Sequence, residues 1–189
     1  MYPEFPPLSE ITEIVGRLSS GRTSLLFAWL ARATANGGVA GLVDTDEAFD
    51  PAAAARAGVD LRRLLWVRCA GRRSVALRAT DVLVRRPGFA LVALDTGDVP
   101  PRLSLETAFR LKLAVRRTRA ALVLLGRRHV AGSGAALVIE TVQDALEWTG
   151  PGTRATRLAA MRTRLHLLRP HAARHPRARA WPGAARFSA

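Results

Sequence analysis

The sequence predicts an α/β domain, with a mostly parallel twisted sheet, helices on both faces and antiparallel strands at its C-terminal edge. Three observations carry this expectation. Short, near-continuous apolar runs such as "FALVALDT" (89–96) and "AALVLL" (120–125) alternate with helical patterns. Runs of that kind read as strands buried on both faces, the habit of parallel sheets covered by helices. A Gly-bracketed loop joins the first run to the first helix, as in doubly wound folds that hold phosphates. After Gly134 the alternation ends and two longer strand-like stretches follow.

Taken in order, "ITEIVG" (11–16) is a strand running into the Gly loop. "RTSLLFAWLARATANGG" (22–38) is a helix with Leu25, Leu26, Trp29 and Leu30 on one face and Gly37–Gly38 as its stop. "VAGLVDTD" (39–46) is a second strand. "DPAAAARAG" (50–58) is a short helix with Asp50 as N-cap, Pro51 in its first turn and Gly58 ending it. "LLWVRC" (64–69) is a strand and "RSVALRATDVLVRRPG" (73–88) a helix. The strand 89–96 ends in Asp95, and Ser104 opens a helix over 104–119. The strand 120–125 follows. "AALVIE" (135–140) reads as a short helix, with strands at 141–148 and 156–168 at the sheet edge.

The chain has 189 residues, 49% of them hydrophobic, which suits one domain with a sizeable core. Residues 10–168 are expected to form that core, after an arm at 1–9 and before a basic, mobile tail at 169–189. Cys69 is the only cysteine, so no intramolecular disulfide and no Cys-rich zinc site can form, and no metal centre is expected. The start has no basic and apolar leader pattern, and no apolar run reaches the length of a membrane span. A cytoplasmic protein without membrane contact is the expectation. The net charge of +14 rests on arginine, Lys112 being the single lysine. Such an excess favours nucleic acid or acidic partners. It is uneven: the last acid is Glu147, and residues 150–189 hold nine arginines and no carboxylate.

"GRLSSGRTS" (16–24) has the spacing of a phosphate loop, G-x-x-x-x-G-K-[ST], with Arg22 in the lysine position. Loops of this type aim backbone N–H groups and a helix N-terminus at a phosphate. Gly16, Ser19, Ser20, Gly21, Arg22, Thr23 and Ser24 form the candidate nucleotide site. Thr23 stands where a hydroxyl holds Mg²⁺, and Asp95 at a strand end is placed to orient that ion. Asp95 is otherwise an inherited acid, bonded to Thr23 or Ser24.

At these residues the chain resembles the RecA recombinase family. "EIVGRLSSGRTSLL" is similar to its Walker A segment, and "LVDTDEAFDPAAAARAGVDLRRLLWVR" to the segment that follows. "FALVALDTGD" resembles its Walker B strand, and "GSGAALVIETVQDALEW" the segment after its second DNA-binding loop. The resemblance runs from about residue 10 to about residue 168 and implies a RecA-like P-loop core.

Four departures accompany it. Arg22 replaces lysine, and a long, forked guanidinium is no conservative substitute for a compact ammonium at a tight site. The family's catalytic glutamate falls on Asp46, one methylene shorter, beside Glu47. With few residues before the first core strand, the helix and linker that dock on a neighbouring protomer are expected to have no counterpart. Both DNA-binding loops are short, "GDVPPRLS" after Asp95 and "GRRHVAGSG" after "LVLL". Hydrolysis, filament formation and DNA gripping are each weakened. This pattern resembles the ImuA family of RecA-like accessory proteins in the SOS response and translesion mutagenesis.

That likeness implies a partner role beside RecA or an ImuB-like inactive Y-family polymerase homologue, with no self-made filament. It also implies no catalytic residues and no cofactor, ATP with Mg²⁺ being the alternative ligand of the loop. The alternatives are a weak Mg²⁺-dependent ATPase and a SulA-like cell-division inhibitor. Arg127, Arg128 and His129 in the short loop, and Arg174, Arg177, Arg179 and Trp181 in the tail, are the candidates for touching DNA or a partner. Trp181, a lone indole in a polar tail, suits an interface anchor. Trp29 and Trp66 are expected in the core, and Cys69 as a small buried hydrophobe.

Overall fold

The computed structural model describes residues 4–101, 103–150, 156–169 and 184–188. Eight strands make one sheet: β1 (Ile11–Gly16), β2 (Val39–Asp44), β3 (Leu64–Arg68), β4 (Phe89–Asp95), β5 (Ala121–Gly126), β6 (Leu137–Thr149), β7 (Arg157–Arg169) and β8 (Ala184–Ser188). Among the described residues four α-helices accompany them: α1 (Arg22–Ala35), α2 (Pro51–Arg56), α3 (Arg73–Val84) and α4 (Leu105–Thr118). The strand order is β3-β2-β4-β5-β1-β6-β7-β8. Strands β1 to β6 pair in parallel, whereas β7 and β8 run antiparallel. The expected α/β architecture, with its antiparallel C-terminal edge, is the observed one.

The helices divide between two faces. Leu25, Leu26, Trp29 and Leu30 of α1 pack with Ala54 of α2 and with Ile14, Leu91 and Val123 of the sheet. On the other face Ala76 and Val84 of α3 join Leu111 and Val115 of α4 against Ile11, Val92 and Leu122. Strands β1 and β5 are buried along their whole length, because they sit mid-sheet between the helical layers. Trp29 and Cys69 are fully buried, and Trp66 is half-buried on the edge strand β3. The caps read from sequence are in place. The Asp50 carboxylate accepts from the Ala52 and Ala53 amides, and Ser104 Oγ accepts from the Thr107 amide.

Two expectations are corrected. "AALVIE" is not a helix: Leu137–Glu140 open the long strand β6, which pairs in parallel with β1 from Thr12↔Leu137 onward. The run is too short for its period to separate helix from strand, and the open edge of β1 decides it. The tail expected at 169–189 is not one uniform segment. Arg169 ends β7, and Ala184–Ser188 form β8 on β7 with Thr163 opposite Ala185.

Candidate nucleotide site

The Gly loop leaves β1 at the C-terminal edge of the sheet and enters α1. Gly21, at φ 91°, is the N-cap of α1, a left-handed turn that glycine adopts without steric cost. The loop is tied down from three sides. Thr141 of β6 donates its hydroxyl to the Val15 carbonyl at 3.2 Å, so Ser20 Oγ, 2.6 Å away, is the donor to Thr141 Oγ1. Arg22 is buried, and its guanidinium Nη1 donates to the Gly16 carbonyl at 3.2 Å. The cation therefore spans the loop from its last residue back to its first glycine. Thr163 of β7 closes the third side, since a Cβ on Gly21 would land well inside contact distance of Thr163 Oγ1. That hydroxyl is buried with no hydrogen-bond partner among the described residues. Ser19 and Thr23 are exposed, and Ser24 is half-buried.

The two candidate acids are engaged elsewhere. Asp95 Oδ1 accepts from the Gly97 amide at 2.9 Å, not from Thr23 or Ser24, and its own carbonyl accepts from Thr45 Oγ1 at 2.5 Å. Burial pushes its carboxyl above the usual carboxylate range, against the opposing pull of the Gly97 amide and the Arg22 charge. Asp46 lies over Gly97. Its Oδ2 accepts from the Asp98 amide at 2.9 Å, and its Oδ1 stands 3.6 Å from Arg73. Arg73 also donates to the Val99 and Gly71 carbonyls. Asp46 and Arg73 thus clamp the short loop after β4. Glu47 pairs with Arg68 at 2.6 Å, away from Asp46.

The loop after β5 is also anchored. Glu13 is buried in β1, and its Oε1 accepts from the Val130 and Ala131 amides at 2.7 and 2.9 Å. His129 Nδ1 lies 3.5 Å from Oε2. Of the other candidates there, Arg127 stands 3.9 Å from Asp98 and Arg128 is exposed. Arg174, Arg177, Arg179 and Trp181 lie outside the described residues.

The sequence reading missed Glu13, Arg73, Thr141 and Thr163. Glu13 left a signal, a carboxylate inside the apolar run "ITEIVG", since such a group is buried only when bonded. Thr141 and Thr163 left none, because their role depends on which strands flank the loop.

A family model described as the RecA N-terminal domain matches residues 5–120. Among curated proteins the chain is similar to Protein RecA of Chlorobaculum tepidum, 39% identical over 101 residues, and to Protein RecA of Methylococcus capsulatus, 41% identical over 101 residues. Each match covers 53% of this chain and 29% of the relative. The aligned part thus spans less than a third of the length of these relatives.

Proposed function

The chain belongs to the RecA N-terminal domain family, and from that premise we propose that it is a non-catalytic RecA-like accessory protein in DNA-damage-induced mutagenesis. It works through protein contacts, with RecA or an ImuB-like inactive Y-family polymerase as partner, and with DNA contact through the basic tail. The observation that carries this reading is Arg22. Its guanidinium bridges the ends of the loop onto the Gly16 carbonyl, where a phosphate loop needs its cation directed at the ligand.

Three features support a site without a working nucleoside triphosphate and Mg²⁺. Thr163 closes over Gly21. Burial raises the pKa of the Asp95 carboxyl, and its Oδ1 is taken by the Gly97 amide. Asp46 is drawn to the Asp98 amide and to Arg73, which holds its carboxylate on the loop after β4. Arg22, Asp95 and Asp46 each bond the protein's own backbone.

The test combines phosphate release with titration of a fluorescent ATP analogue in Mg²⁺. Turnover at the level of a no-protein blank is expected, and Arg22→Lys alone does not raise it, because Asp46 stays clamped. Steady hydrolysis that disappears in Asp95→Ala overturns the reading in favour of an ATPase.

A further inference from the structure

We propose that the solvent face of α4 is a docking site for an acidic amphipathic helix of a partner protein. This does not depend on the state of the phosphate loop. The inward face of α4 is filled by Ala108, Leu111, Ala114 and Val115. On the outward side Leu105, Phe109 and Leu113 are 60%, 48% and 57% exposed. They follow one another at four-residue spacing, so they stack along one line, one turn apart. Scattered exposed apolar residues are ordinary, but a contiguous line that includes an aromatic ring marks a contact surface. The neighbouring helix α3 shows the ordinary case, with Val82 alone on an outward face that also bears Asp81 and Arg85.

Charge identifies the occupant. On one flank Lys112 and Arg116 share the single carboxylate of Glu10, at 3.8 and 2.9 Å. On the other, Arg110 shares Asp81 with Arg85. That second flank also carries the exposed Glu106 and Arg117, so cations outnumber carboxylates by one on each flank of the apolar line. A helix with leucines on one face and glutamates beside them satisfies both features, in the helix-in-groove manner. A second copy would bring a like-charged rim, in a chain whose net charge is +14. A phosphate backbone would leave the leucines and the phenylalanine in water.

The experiment uses the whole chain and two fluorescein-labelled synthetic amphipathic helices, identical except for glutamate or lysine beside the leucine face. Fluorescence anisotropy should show binding of the glutamate peptide. Affinity should fall at least ~tenfold, or about 1.4 kcal/mol, in Phe109→Ser and again in Leu113→Ser. Both residues are exposed, so the variants should melt like the parent in circular dichroism. Absence of binding, equal binding to Phe109→Ser, or equal affinity for the lysine peptide overturns the proposal. So does a concentration-dependent dimer lost in Phe109→Ser, which gives the face to a second copy. Phosphatidylglycerol-vesicle binding lost in the same variant also overturns it, by giving the face to a membrane surface.

Discussion

Arg22 was legible as an anomaly from spacing alone. What it does was not, because its bond to Gly16 depends on the rotamer that the covered loop allows. Asp95 was legible as a strand-end acid, but its partner was not: the bond goes to Gly97 in its own turn. Its titration gives a test. Burial raises the folded-state pKa of Asp95 above the unfolded value, so the native state holds the proton more tightly. The stabilisation from that proton is complete below the unfolded pKa, about 3.9, and is lost as pH rises through the folded value. At neutral pH an ionised Asp95 is therefore a burden on the fold. Asp95→Asn keeps an acceptor for the Gly97 amide and removes the charge. Its melting temperature should exceed that of the parent at pH 8, with the difference shrinking toward pH 4. A variant that melts lower by the same margin at both values would mean that the carboxylate is held by bonds stronger than its desolvation.

Among the elements, strands and helices up to residue 126 were readable because their periods are long and their caps explicit, Asp50 and Ser104 among them. The short run 135–140 was not, since pairing with β1 rather than local propensity makes it a strand. Nor was β8 readable, since "AARFS" has no distinctive pattern and is a strand only because β7 offers it an edge. The same β6–β7 hairpin supplies the covering of the phosphate loop. Gly21→Ala meets two penalties, a Cβ at φ 91° and collision with Thr163. The left-handed conformation alone costs about 1–3 kcal/mol in a non-glycine residue, so chemical denaturation should register a loss of at least that order. In a Thr163→Ala background the loss should shrink without disappearing, because the backbone penalty remains. Strictly additive losses in this double-mutant cycle would separate β7 from the loop. Removing the Ser20 donor by Ser20→Ala should cost about 1 kcal/mol, read in the same unfolding series.

At the scale of the molecule the charge distribution sets the last expectation. The nine arginines of residues 150–189 are not equivalent. Arg162 stands 3.7 Å from Glu147 and Arg164 bonds Asp144, both across the β6–β7 pair. Those two are partly neutralised inside the sheet. Arg174, Arg177 and Arg179 lie outside the described residues, in a stretch that contains no acid. Any DNA affinity should therefore rest on these three more than on the β7 pair. Cations that neutralise phosphates release condensed counterions, so log affinity falls linearly with log salt, by about 0.9 per phosphate contact on duplex DNA. Removing the chain after Arg169 would be a poor test, because β8 would go with it and leave β7 as a bare edge. Replacing Arg174, Arg177 and Arg179 together by serine keeps the sheet. In a gel-shift series from low to physiological salt, that variant should bind more weakly on every sequence. Its salt slope should be shallower by roughly 2–3 if all three arginines reach phosphates. The matched variant Arg162→Ser/Arg164→Ser should keep the parent slope. The reverse pattern, a slope set by the β7 pair and untouched by the triple variant, would move the DNA contact from the tail to the sheet edge. A triple variant that binds DNA like the parent but no longer retains RecA or the polymerase homologue in a pulldown would make the tail a protein-docking segment, with Trp181→Ala expected to reproduce that loss.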